Sequence, residues 1–302
     1  MRLKMQLSGA FIFTEHEPKK QSRRYKKMEY RLCLLMGLAQ LMKYNRCFKK
    51  SQHPMSRYPI KTNDEILLMR ESGKVAARIL SELLREAKEG VTTKSLNDLA
   101  EKRIVEEGVV ASFKGFDGYP FSIITCIDDE VVHAMPSDRV LQKGELLTID
   151  FGIYKNGFHS DMAKTVEIGS NVQENFLSVG KDALSKGIAS CKIGGFIGDI
   201  SSSIQQTVEF SGCNVVRAFV GHGVGRDLHE DPQIPGVGWP RMGVPLKEGM
   251  VLAVEVMYTQ GEWDVEIAED GWTAVTVDGS LSGMFEHTVA ITKDGPQILT
   301  LE

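Results

Sequence analysis

Cysteine is scarce and scattered: five in 302 residues, at positions 33, 47, 126, 191 and 213, with no C-x-x-C pair. That spacing argues against a disulfide framework and favours a reducing compartment, so a cytoplasmic location is expected. Long apolar runs are missing as well. RLCLLMGLAQLM at 31–42 has 12 residues and carries an arginine, whereas a membrane-spanning helix needs about 20. It reads as a short amphipathic helix or docking segment. The opening MRLKMQLSGAFIF is basic and then apolar, but no clear processing site follows it, which disfavours secretion. Phosphate-loop patterns are absent too, because the glycines of GHGVGRDLHE (221–230) complete neither GxxxxGK[ST] nor GxGxxG.

What is present is ordinary in bulk and uneven in detail. With 42% hydrophobic and 25% charged residues, the chain is neither collagen-like nor coiled coil nor wholly disordered. Residues 1–58 hold 14 Lys/Arg against 3 acidic residues; that excess of +11 leaves −15 for 59–302, given −4 overall. We therefore expect two parts: a basic N-terminal extension over 1–58 and one working domain over 59–302. The extension suits an anionic surface such as nucleic acid or lipid headgroups. A flexible solubilising leader is the alternative expectation.

Hydrophobic periodicity predicts a long helix in NDEILLMRESGKVAARILSELLREAK (63–88). Ile66, Leu67, Met69, Val75, Ala76, Ile79, Leu80, Leu83 and Leu84 form its apolar stripe, and Asn63 or Asp64 is placed to cap it. A second helix begins at Thr93 and runs toward Glu107. Two more are expected at 174–189 and 198–210, on either side of the Gly194-Gly195 break. Strand-like runs lie at 122–127, 145–154, 160–168, 250–258, 272–277 and 285–292. The order is helix, helix, strands, then the same again. It predicts an α+β fold of two similar half-domains whose antiparallel sheets meet at a central face.

The most informative local geometry is ELLTIDFGIYKNGFHSDMAKTVEIG. Asn156-Gly157 favours a two-residue type I′ turn; with Lys155 facing Phe158, Gly152 then faces Asp161 and Asp150 faces Ala163. Alternation puts Asp150 and Asp161 on one face as diagonal neighbours, about 7–8 Å apart at the backbone. Alone, two such aspartates can simply be solvated. Later in the chain, however, Glu255 interrupts the apolar run VLAVEVMY and Glu286 stands in MFEHTVAIT. Burying a carboxylate without compensation is expensive. The four carboxylates with His222 give hard oxygen ligands and one imidazole, and two divalent cations would balance their charge, as in hydrolytic two-metal sites.

Taken with YPFSIITCIDDEVVHAMPSD, GHGVGRDLHEDPQIP, EGMVLAVEVM and DGWTAVTVDGSLSGMFEHTVAIT, this ordered D, D, H, E, E set resembles the type I methionine aminopeptidases over about residues 62–301. Those enzymes belong to the metal-dependent peptidases of pita-bread fold. The resemblance implies metal ligation by Asp150, Asp161, His222, Glu255 and Glu286, with Asp161 and Glu286 bridging two ions. It further implies proton handling by Glu255, substrate contacts by His229 and His133, and a methionine pocket containing Phe116, Tyr119 and Trp272. The implied reaction removes N-terminal methionine before a small second residue, through a metal-bridging water. Manganese, iron, cobalt and zinc all suit the ligand set. Implied partners are nascent polypeptides, with ribosome contact through residues 1–58; a monomer without an obligate protein partner is expected.

Departures from the family pattern are Asp128 in place of a frequent asparagine, Ala134-Met135 in place of Gly-Ile, and Val256 in place of proline. The competing readings are a proline-specific aminopeptidase or dipeptidase on the same scaffold, and an inactive peptide-, RNA- or ribosome-binding module. Retention of all five ligand types argues against the inactive module.

Overall fold

The computed structural model describes residues 58–302. Apart from Tyr58, the basic extension lies outside the described residues, and the apolar run 31–42 lies there with it. Helix α1 (Asn63–Glu86) starts where the sequence places it, but its cap is Thr62 and neither Asn63 nor Asp64. The Thr62 hydroxyl accepts the Glu65 N–H at 3.3 Å and the Glu65 carboxylate accepts the Thr62 N–H at 2.8 Å, a reciprocal box that Asn63, already helical, cannot form. The stripe Ile66, Met69, Val75, Ala76, Ile79, Leu80 and Leu83 is buried, whereas Leu67 points to solvent. Helix α2 (Thr93–Glu106) starts at Thr92, whose hydroxyl accepts the Ser95 N–H. Helices α3 (Glu174–Ala189) and α4 (Ile197–Phe210) fall where periodicity places them.

The strands in chain order are β1 (Val110–Ala111), β2 (Ile124–Ile127), β3 (Glu130–Val132), β4 (Leu146–Lys155), β5 (Phe158–Glu167), β6 (Asn214–Val215) and β7 (Val220–Gly223). They continue with β8 (Glu230–Pro235), β9 (Val251–Thr259), β10 (Val265–Ile267), β11 (Ala274–Thr276), β12 (Ser282–Thr292) and β13 (Gly295–Ile298). Among the described residues, ten strands form one antiparallel sheet with the central order β4-β5-β12-β9-β7-β8, and β10-β11-β3 form a smaller one. The β4–β5 hairpin has the register expected of its turn, Lys155 facing Phe158 and Gly152 facing Asp161. Asn156 and Gly157 carry the positive φ values (55° and 84°) that the turn demands.

The duplication in the sequence becomes two helix-covered halves. Leu147, Ile149, Phe151, Ile153 and Met162 of the hairpin share one core with α1 and α2. Leu252, Val254, Val256, Tyr258 and Phe285 of β9 and β12 share another with α3 and α4. Each such side chain contributes about 1.5–3 kcal/mol on burial. Each core takes alternate residues of its own strands, so the residues between them face the other side of the sheet. Val256, in the place of a family proline, pairs with Phe285 and is fully buried, so β9 runs unbroken into the second core.

Candidate metal centre

The strand registers assemble the site in two rows. Asp150 faces Ala163 across β4–β5, Ala163 faces Glu286 across β5–β12, and Glu286 faces Glu255 across β12–β9. Two residues along, Gly152 faces Asp161, and Thr288 and His222 both face Ala253, from β12 and β7. Thr288 ties Asp161 into that row: its hydroxyl accepts the Asp161 N–H at 2.9 Å and donates to the Asp161 carbonyl at 2.8 Å. Side chains two apart on a strand share a face. The five sequence-predicted ligands, drawn from five strands, therefore stand on one face of one sheet, opposite the helix-covered cores.

Asp161, His222 and Glu286 bring ligand atoms within 4.8 Å of one another, all three residues buried. His222 Nε2 lies 3.8 Å from Asp161 Oδ2 and 3.9 Å from Glu255 Oε1. Its Nδ1 is 2.9 Å from the Gly223 carbonyl. A carbonyl can only accept, so Nδ1 carries the proton and, in the neutral ring, Nε2 turns a lone pair toward two carboxylates. Burial holds the ring neutral, pulling its pKa down to about 4.

The carboxyls are displaced the other way. Burial pushes Asp161 up to about 7, and burial with the charge of Asp161 pushes Glu255 up to about 8. Asp150 and Glu286 are raised well above the ordinary carboxyl range, first by burial and then by neighbouring carboxylates. One oxygen each of Asp150, Asp161 and Glu286 is buried without a hydrogen-bond partner. A cluster made only of acceptors, with orphaned oxygens and an imidazole lone pair, fits a divalent cation by its donor chemistry.

His229 lies beside this cluster, its ring meeting that of His222 edge to face with centroids 4.4 Å apart. Phe116 meets the other side of His229 at 5.0 Å. Burial, then the nearby His222, His133 and His159, hold His229 well below the usual histidine range. His133 follows β3 in a left-handed conformation (φ 63°), packs against Phe219 at 5.4 Å, and is lowered by burial to about 4. Tyr119 and Trp272 meet at 5.3 Å in a cluster with Phe113, Ile124, Cys126 and Leu228. Ile124 is the residue facing Asp150, so this aromatic wall adjoins the carboxylates. Asp270 fixes Trp272 by accepting its N–H at 2.8 Å.

The GHGVGRDLHE stretch is a strand, a loop and the start of another strand. A Cβ at Gly221 would come within 2.7 Å of the Ala253 carbonyl, and one at Gly223 within 2.5 Å of the Asp231 carbonyl. These glycines are thus set by close strand packing around β7. Arg226 pairs with Glu65 at 2.7 Å. Asp128 turns the chain at φ 54° and accepts the Leu146 N–H, so its departure from asparagine keeps a loop-holding acceptor. The Ala134 carbonyl accepts from the Tyr119 hydroxyl, tying the altered 134–135 segment to the aromatic wall. Thr288 was not singled out in the sequence; its signal is parity, since it stands two residues from Glu286 on the same strand face.

Residues 67–293 match the metallopeptidase family M24. Methionine aminopeptidase of Clostridium perfringens is 43% identical over 244 residues, 80% of this chain and 98% of that protein. Methionine aminopeptidase 1 of Bacillus subtilis is 45% identical over 242 residues, again 80% and 98%. The crystal structure of methionine aminopeptidase from Thermotoga maritima superposes with TM-score 0.79 at 42% identity, covering 81% of this chain and all of that one. Prolidase from Pyrococcus furiosus, at 23% identity and TM-score 0.63, over 80% of this chain and 65% of that one, shares the fold alone. Family match, close relatives and buried ligand cluster agree: the chain belongs to the metallopeptidase family M24, among its methionine aminopeptidases.

Proposed function

We propose that the site removes N-terminal methionine from nascent polypeptides, preferring a small second residue, with two divalent cations held by Asp150, Asp161, His222, Glu255 and Glu286. The observation that carries this reading is the lone pair of His222 Nε2 turned toward Asp161 and Glu255 at 3.8 and 3.9 Å. Four carboxylates match the charge of two dications. Asp161, His222 and Glu286, whose ligand atoms lie within 4.8 Å of one another, would form the centre of the ligand set, with Asp150 and Glu255 beside them. Manganese, iron, cobalt and zinc suit this donor set, and availability chooses among them.

Bound cations of this kind lower the pKa of water and polarise a carbonyl. Glu255, whose Oε1 lies 3.9 Å from His222 Nε2, would when ionised take a proton from the attacking water and return it to the departing amine. His229 and His133, both kept neutral by burial, offer N–H groups to the carbonyl oxygen as charge develops there. Phe116, Tyr119 and Trp272 receive the methionine side chain. A free α-amino group is drawn to the carboxylates, which favours an N-terminal over an internal bond.

Cleavage of matched peptides beginning Met-Ala and Ala-Pro by metal-reconstituted protein tests the reading. Methionine release is expected; predominant cleavage before proline would replace it with a proline-specific activity. We extend the proposal to a cytoplasmic monomer whose residues 1–58, with their +11 excess, contact the ribosome. Deleting that extension should weaken ribosome co-sedimentation and spare peptide cleavage, and unchanged co-sedimentation would refute the contact.

A further inference from the structure

Lys61 is fixed at its base, because its N–H donates to the Gly249 carbonyl at 2.7 Å just before the Thr62 cap of α1. Its ammonium meets Glu230 Oε2 in an ion pair whose side chains are each 5% exposed. Glu230 follows His229 directly. Its other oxygen, Oε1, accepts the Arg226 N–H at 2.9 Å and the Asp227 N–H at 3.4 Å. The loop closes tightly around the pair: a Cβ at Gly225 would lie 2.5 Å from Lys61 Cε and 2.6 Å from Glu230 Oε1. On its outer side the Gly225 carbonyl accepts the His159 N–H at 2.7 Å.

A buried ion pair adds little stability over an apolar pair of the same shape, because desolvation offsets the attraction. Stability alone therefore gives little reason for this one. What the pair does is geometric. It ties Glu230, just past the far end of the 224–229 loop, and through it the Arg226 and Asp227 N–H groups within that loop, to the start of α1 and the Gly249 turn.

We infer that Lys61 and Glu230 are positioning residues that hold the 224–229 loop so that His229 faces the reacting carbonyl. The inference rests on the peptidase reading of the site. A contact made only as charge develops affects kcat and leaves KM largely alone.

The test uses full-length, metal-loaded protein with Lys61→Met, Glu230→Gln and the double variant. The readouts are kcat and KM on a Met-Ala peptide, hydrogen exchange over 224–229, and bound metal. Each single variant strands a buried charge; it should lower kcat by about 100-fold, the cost of a roughly 1 Å misplacement, with KM within about threefold, metal retained and exchange accelerated. The double variant is uncharged and keeps an oxygen at the Arg226 N–H, so it should recover most of kcat and of the exchange protection. Wild-type kcat or unchanged exchange in folded single variants would overturn the inference, as would a double variant no better than the singles. If the singles fail to fold, the double decides alone by near-wild-type kcat and protection or their loss. A wild-type protein that releases no methionine would sink the peptidase reading instead, with the exchange arm still reading the brace.

Discussion

Glu286 stands directly opposite Glu255 in the β12–β9 pair, two carboxylates side by side on one sheet face. Like charges in that relationship destabilise a sheet, and here Asp161 and Asp150 add to the repulsion. The site therefore opposes folding where its carboxyls are ionised and no cation offsets their charge.

Removing metal should lower the melting temperature, most at alkaline pH. Asp161 and Glu255, raised to about 7 and about 8, lie above the ordinary carboxyl values near 4. In that interval the folded metal-free protein holds more protons than the unfolded chain, so its stability falls as pH rises. His222 and His133, lowered to about 4, act oppositely below about 6.5. The gap between metal-loaded and chelated protein should widen from about pH 6.5 to above 8, as read by differential scanning fluorimetry. A gap that narrows over this interval would contradict the carboxylate cluster.

Thr288→Val removes the hydroxyl that bridges the Asp161 N–H and carbonyl. A buried donor left unsatisfied costs about 1–3 kcal/mol, which urea denaturation will read. Metal affinity should fall by about 10–100-fold, as when a partner that orients a ligand is lost. Isothermal titration of metal into the variant checks it.

His229→Ala should reduce kcat by about 100- to 1,000-fold, the range for loss of one donor to a developing oxyanion. Bound metal, measured by elemental analysis, should stay at the wild-type level because His229 lies outside the ligand cluster. Loss of metal in parallel with activity would make His229 a ligand.

Trp272→Ala opens the aromatic wall against Tyr119. Discrimination between methionine and a side chain one methylene shorter should shrink by about 1–3 kcal/mol. Competition between the two peptides, followed by mass spectrometry, measures this.

Much of the site was legible because a two-residue turn fixes a hairpin register. Asn156-Gly157 dictates that Gly152 faces Asp161, and the structure keeps that pairing. The four long helices follow from their periodicity in the same way. The strands on either side of the 224–229 loop were not legible, since β7 is half glycine and β8, although its burial alternates, places Glu230 and Pro232 at buried positions where an apolar pattern would be sought. Nor was the Thr62 cap, because neighbouring Asn63 and Asp64 are equally good capping types and only backbone geometry selects among them. The Lys61–Glu230 pair joins residues 169 apart, a distance across which local pattern carries no information.

The proposed function requires that the acceptor-only cluster hold the metal that supports methionine release. Its most direct test is mass-spectrometric assay of a Met-Ala peptide with chelated, full-length protein during stepwise return of Mn²⁺, beside Asp161→Asn and Glu286→Gln. No release is expected without metal, with activity saturating at two equivalents per chain and both binding and release lost in the two variants. Release that survives chelation, or variants that keep wild-type metal content and rate, would contradict it.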